Sequence, residues 1–116
     1  MNDLANALIA VLVLVLCVTA LFDLVRHPKV LVTTDRLRIP ARSVPVLGAI
    51  KLLAAVSLVA GTGSIRLAEA TGAFLVGYFA VAVLTHVRVK DGLRNTLPAF
   101  VMLAVSTLYL LATFAR

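Results

Sequence analysis

The sequence predicts an all-α integral membrane protein, a four-helix bundle whose helices cross a bilayer one after another. Three observations predict it. First, 62% of the 116 residues are hydrophobic and only 14% are charged, with a mean hydropathy of +1.09, against roughly 45–50% apolar residues in soluble domains. A water-soluble domain of this size leaves too much of its surface exposed to hide so much apolar area. Second, the apolar residues form four runs, at about 4–25, 44–60, 67–87 and 97–115, each close to the ~20 residues that cross a hydrocarbon core of ~30 Å. Third, most charges fall in the two stretches between runs, 26–43 and 88–96, because a charge at the centre of a bilayer costs several kcal/mol. The whole chain, 1–116, reads as one transmembrane domain. Backbone groups in lipid must bond within their own segment, so each span is a helix.

The first span, Leu4 to Val25, reads as a retained helix and not as a cleaved signal peptide. Its start carries Asp3 and no Lys or Arg, and the basic residues Arg26 and Lys29 come after it, the reverse of a signal peptide's charge order. The lone cysteine, Cys17, lies inside this span. A single thiol makes neither an internal disulfide nor a Cys-x-x-Cys pair, and it reads as a small apolar packing residue. In the loop that follows, apolar and basic residues interleave from Lys29 to Pro40. This stretch could lie at the membrane surface with Leu37 and Ile39 down and the Arg side chains towards head groups, or be a plain cytoplasmic loop. Asp35 could cap a short helical turn ending before Pro40.

The second span runs from Val44 to Ala60, with Pro45 in its first turn, where the missing N–H would have no intrahelical partner anyway. The short turn Gly61-Thr62-Gly63-Ser64 joins it to the third span, Leu67 to Val87, as a tight connection between antiparallel helices. The fourth span runs from Leu97 to Ala115, with Pro98 near its start. Small residues four apart, at Ser57/Gly61, Ala68/Gly72 and Ala73/Gly77, allow close helix approach within a bundle or across a dimer.

Net charge is +6, but the basic residues flank apolar spans, where they set topology and meet anionic head groups. The partner they imply is the lipid bilayer and not a nucleic acid. The two loops carry eight basic residues, Arg26, Lys29, Arg36, Arg38, Arg42, Arg88, Lys90 and Arg94, against Arg66 and Arg116 on the other side. The positive-inside rule then puts both loops in the cytoplasm and both termini outside, in a multi-pass protein of the cell membrane.

Ionisable residues in or beside the spans are the leads to function, since they are costly to place there. There are four: Asp23, Lys51, Glu69 and His86. Lys51 is the deepest, about 10 Å in from Val44 at about 1.5 Å per residue. Asp23 closes the first span and His86 the third, so all three fall towards one leaflet. If the first three spans pack together, Asp23 neutralises Lys51 with His86 close by. The result is either a small polar pocket for an acidic or quinone-like head group or a proton, or an ion pair that locks the bundle. His86 shares a helix face with Gly72 and Phe79. A bis-His haem needs a second placed histidine, and the other one, His27, is in the loop. No residues stand at metal-ligand spacing. Glu69 near Arg66 reads as an interfacial i,i+3 pair. Tyr78 and Tyr109 read as packing residues or pocket donors. No phosphate loop, nucleophile elbow or catalytic carboxylate pair is present.

The stretch Arg42-Ser43-Val44-Pro45-Val46-Leu47-Gly48-Ala49-Ile50-Lys51-Leu52-Leu53, with its Pro, Leu-Gly and Lys at the start of a second helix, resembles the DoxX-like family of small bacterial membrane proteins. The stretch Ala82-Val83-Leu84-Thr85-His86-Val87-Arg88-Val89-Lys90-Asp91 resembles that family's third-helix ending of Ala, His and basic residues to Asp. The resemblance implies a four-helix membrane bundle with Lys51 and His86 as its characteristic polar positions. It also implies a link to membrane redox and thiol stress, the family being named after a thiosulfate:quinone oxidoreductase subunit.

Three functions follow as expectations. The leading one is an accessory or interaction subunit of a membrane-associated, redox-linked complex, docked on another membrane or peripheral protein or on a second copy, with no catalytic centre of its own. The second is a quinone- or lipid-binding component that uses a polar pocket of Asp23, Lys51 and His86. It has no intrinsic cofactor, and a quinone is the exogenous group it could take. The third is a small transporter, which the lack of a carboxylate deep in the first span disfavours.

Overall fold

The computed structural model describes residues 2–25 and 27–115, and the side chains of all of these except residues 2 and 41. Met1 lies outside the described residues, as do Arg26 and Arg116, both of which entered the charge bias. Four long helices, α1 (Asn2–Leu24), α3 (Val44–Ala60), α4 (Ile65–Arg88) and α5 (Leu93–Phe114), carry the fold. A short helix, α2 (Pro28–Arg36), lies in the first loop. Single 3-10 turns at Ala41–Ser43 and Gly61–Gly63 make the connections on either side of α3.

All four long helices are long and apolar enough to cross a membrane, and at most 33% of any span is buried in the bundle. The remainder points outward with side chains such as Leu14, Leu53, Val56, Leu84 and Phe100. In water that surface would be unstable. In lipid it is the correct exterior, because the acyl chains are as apolar as leucine. The long axis of 40 Å matches a bilayer with its head-group regions, about 40–45 Å.

The helices form a ring in the order α1, α3, α4, α5. The extensive contacts are α1 with α3 and α4 with α5, and smaller contacts join α1 to α5 and α3 to α4. Helix α1 presents Leu8, Leu12, Leu16 and Ala20 inward, all buried and four residues apart. Helix α4 does so with Ala68, Gly72, Leu75, Phe79 and His86, and α5 with Met102, Ser106, Tyr109 and Thr113. Those alternating steps of three and four keep one seam facing its neighbours. Tyr109 therefore belongs to the core, and Cys17 packs against it, partly buried.

Several details differ from the sequence reading. Helix α5 begins at Leu93, earlier than the apolar run, because Arg94, Asn95 and Thr96 form its first turn. Gly92 opens it at φ 87°, a conformation glycine adopts without steric cost, and Thr96 Oγ1 donates to the Gly92 carbonyl at 2.7 Å. Pro98 consequently lies inside the helix and not in its first turn. Helix α2 is capped by His27, whose Nδ1 accepts from Lys29 N at 3.2 Å. Asp35 falls in its last turn, since Pro28 fixes the first helical position. Leu37 is buried against the bundle and is not laid into lipid. The ion pairs among the described residues are Arg36–Asp91, Lys51–Asp23 and His86–Asp91, and Glu69 and Arg66 are not joined. Holding two long side chains in one exposed geometry costs more entropy than the screened attraction returns.

Candidate functional site

The inner stripe of α3 runs through the buried residues Val44, Gly48, Ala55 and Leu58. Lys51 falls on this stripe, three residues after Gly48 and four before Ala55, so it faces the bundle and not the lipid. Gly48 decides what it meets. A Cβ at this position would stand 3.0 Å from Ala20 O and 3.0 Å from Asp23 Cβ, so only glycine lets α1 and α3 approach this closely. Asp23 is thereby brought opposite Lys51, and Nζ lies 2.8 Å from Oδ2. With side-chain exposures of 16% and 6%, both charges are largely withdrawn from solvent. Mutual neutralisation is what makes that placement tolerable.

His86 is fixed by the way α4 ends. Val89 closes the helix and Lys90 turns left-handed at φ 54°. Lys90 N donates to Val87 O and Asp91 N to His86 O, both at 3.0 Å. These are the two bonds of a Schellman turn, which fold the residue after the turn back onto the last helical turn. In most proteins that contact is hydrophobic. Here it is Asp91 against His86, with 2.6 Å between Oδ2 and Nδ1. The other carboxylate oxygen, Oδ1, binds Nε of Arg36 at the end of α2. Burial pushes the Asp91 carboxyl up, but the hydrogen bonds from His86 and Arg36 and their charges outweigh it and hold it below the usual 3.8. An ionised carboxylate only accepts, so His86 Nδ1 carries the donated proton.

Helix α2 is therefore fastened at both ends. Phe22 and His27 stack at its start, with centroids 4.8 Å apart, and Arg36 clasps Asp91 at its finish. Between these points it roofs a cavity of about 790 Å³ bounded by α1, α3 and α4. Val30, Thr33 and Thr34 of α2 and its C-cap Leu37 face in, at helical spacing, and Ile39 follows them. The long wall is α4, which contributes Ala73, Phe74, Gly77, Tyr78, Val81, Ala82, Thr85 and His86. That stripe is about 20 Å long at about 1.5 Å per residue. Gly77 opens it, since a Cβ there would meet nothing within 4 Å. Ala73 and Gly77, read in the sequence as a close-approach pair, line this void instead.

The groove is chemically two-ended. Its deep end, at Ala73, Phe74 and Gly77, is apolar. Its other end gathers Asp23, Lys51, His86 and Lys29. The structure thus brings all three sequence-selected residues into one cavity and leaves Glu69 outside it. Arg36, Asp91 and Gly77 entered the sequence reading as a basic loop residue, the end of a motif and a packing residue, and not as site residues. The one available signal was Asp91 five residues after His86 and just before a glycine. Among the described residues no three His, Cys, Asp or Glu side chains group as ligands for a metal ion.

A family model described as the DoxX-like family matches residues 7–109, a stretch that holds every residue of the groove. Comparisons with curated proteins and with solved structures give no match.

Proposed function

The chain belongs to the DoxX-like family and is a multi-pass membrane protein, and from that premise we propose that it binds an amphipathic membrane molecule of the lipid or quinone class in the groove beneath α2. The observation that carries this reading is the groove's polarity: about 790 Å³ of cavity, apolar along α4 and ionisable at one end. Ligand sites of roughly 300–1,000 Å³ with a few convergent polar groups are the usual form of a small-molecule pocket.

In this reading Lys51 and His86 meet the head group. Asp23 holds Lys51 in place, and Asp91 holds the His86 ring with its second nitrogen left for the ligand. The chain contributes no redox centre, so electron transfer to a bound quinone would fall to a partner protein. We place the α2 end in the cytoplasm of a bacterial plasma membrane, because the basic loops lie there. Cysteines introduced at Thr34 and Asn95 are then labelled only after the membrane is opened, and labelling from outside intact cells contradicts that placement.

Native mass spectrometry of gently extracted protein tests the binding. The expected spectrum shows a retained amphiphile of defined mass, which is lost in Gly77→Phe, a substitution that fills the groove. An empty groove with a stoichiometric protein partner overturns this proposal in favour of an accessory subunit.

A further inference from the structure

We propose that the groove selects an oxyanion head group, a carboxylate or a phosphate, on a long alkyl tail. This rests on the groove reading above and names its ligand class. Tails cannot supply selectivity in a bilayer, where every competing lipid offers the same apolar surface. Discrimination must come from the polar end.

That end carries an excess of positive charge, while the hydroxyls of Thr19, Thr33, Thr34 and Thr85 spend their protons on helix carbonyls and line the groove as neutral acceptors. The Lys51 ammonium has three N–H groups, and its Nζ is ion-paired with Asp23 Oδ2 at 2.8 Å. Lys29 lines the groove and forms no ion pair among the described residues. Tyr78 lines it too, and its hydroxyl makes no hydrogen bond among the described residues. His86 spends Nδ1 on Asp91. The single carboxylate facing the groove, Asp23, is already committed to Lys51, and Asp91 is committed to Arg36 and His86. The charge left over is therefore the cation of Lys29, beside the unused N–H groups of Lys51. An oxyanion supplies both the missing countercharge and several acceptor lone pairs, and charge-assisted bonds of this kind are the strong ones. A neutral alcohol supplies neither. A quinone supplies two carbonyl acceptors and no charge.

The test is direct binding to the purified full chain in mild detergent, with hexadecanoate, hexadecyl phosphate, hexadecanol and decylubiquinone as probes. The expected result is that one or both anions bind roughly tenfold or more tightly than the two neutral probes. The double variant Lys29→Gln/Lys51→Met should abolish that preference while hexadecanol binding persists. Whichever anion binds more tightly names the source, free fatty acid or phospholipid. Equal affinity for hexadecanol and hexadecanoate, or tighter decylubiquinone binding, overturns the head-group inference and leaves the groove standing. If no probe binds, or if Gly77→Phe binds all four as well as the unaltered chain, the groove reading itself fails.

Discussion

The two ends of the bundle use the same small residues to opposite effect. At the end that carries the Gly61–Gly63 turn, glycine closes space. A Cβ at Gly61 would sit 3.1 Å from Ala68 Cα, and one at Gly72 would sit 3.0 Å from Leu110 Cδ1 and 3.2 Å from Leu110 Cα. Beside them Leu12, Leu16, Leu58 and Leu75 are almost wholly buried. At the end roofed by α2, Gly48 still draws α3 against α1, but on α4 glycine opens space, and Gly77 faces a void. Gly72 and Gly77 lie on the same helix, turned about 140° apart at 3.6 residues per turn. One faces α5 and the other the groove. The difference teaches that a small residue in a membrane helix licenses contact only where a neighbour arrives to use it. In water a void lined by apolar groups tends to collapse. Lipid exerts less of that pressure, so a groove can persist and stay open to an amphiphile.

The comparison can be broken at several points. The largest effect is expected where the open end holds the ion pair of Asp23 and Lys51. Asp23→Leu leaves Lys51 unpaired and should cost about 3 kcal/mol, the lower end of the figure for breaking a buried pair, because Lys51 also faces the groove. The double change Asp23→Leu/Lys51→Met should recover most of that loss. Detergent-titrated unfolding measures both, and equal loss in the single and double variants would show that the pair is not what holds this end.

The paired glycines come next. Gly72→Leu forces a side chain into the backbone of α5 and should cost about 1–3 kcal/mol as overpacking. Gly77→Leu meets open space and should gain up to about 1 kcal/mol from helix propensity. The same unfolding measurement decides it, and similar losses in both variants would mean that the groove is not open.

A smaller, local effect is expected at the clasp. Asp91→Asn removes the charge shared by Arg36 and His86. It should speed amide exchange in α2 while leaving the spans protected. The pH dependence has a definite sign. The folded Asp91 carboxyl is held below its usual 3.8, so its contribution is complete above that value and is lost only as pH falls through the lower folded one. The clasp is thus closed throughout the neutral range. Exchange in α2 that quickens between pH 7 and 5 in the unaltered chain would contradict this.

Much of the architecture was legible in the sequence. Hydropathy gives four spans because every residue in lipid is tested for transfer energy along the chain. Asp23, Lys51 and His86 were legible as a set, since all are costly and all fall towards one leaflet. The clasp was not legible. It depends on Lys90 adopting a left-handed conformation that local sequence does not demand of a lysine, and this turn alone folds Asp91 onto His86. Helix α2 was read as a surface or loop segment because its nine residues are too few to give a span. Pro98 was misplaced because the polar first turn of α5 does not register as apolar. The groove had no linear signature at all. It is bounded by residues of four separate helices, which no run or motif encodes, and without recognisable catalytic machinery the leading expectation was an accessory subunit.

The central claim is that an amphiphile occupies the groove, and a crystal structure grown from a lipidic mesophase tests it most directly. The account predicts a tube of density along α4 from Ala73 to His86, ending within hydrogen-bond distance of Lys51, with α2 closed over it. Val30 and Leu37 packed directly against Ala73 and Gly77, with no space between them, would contradict it.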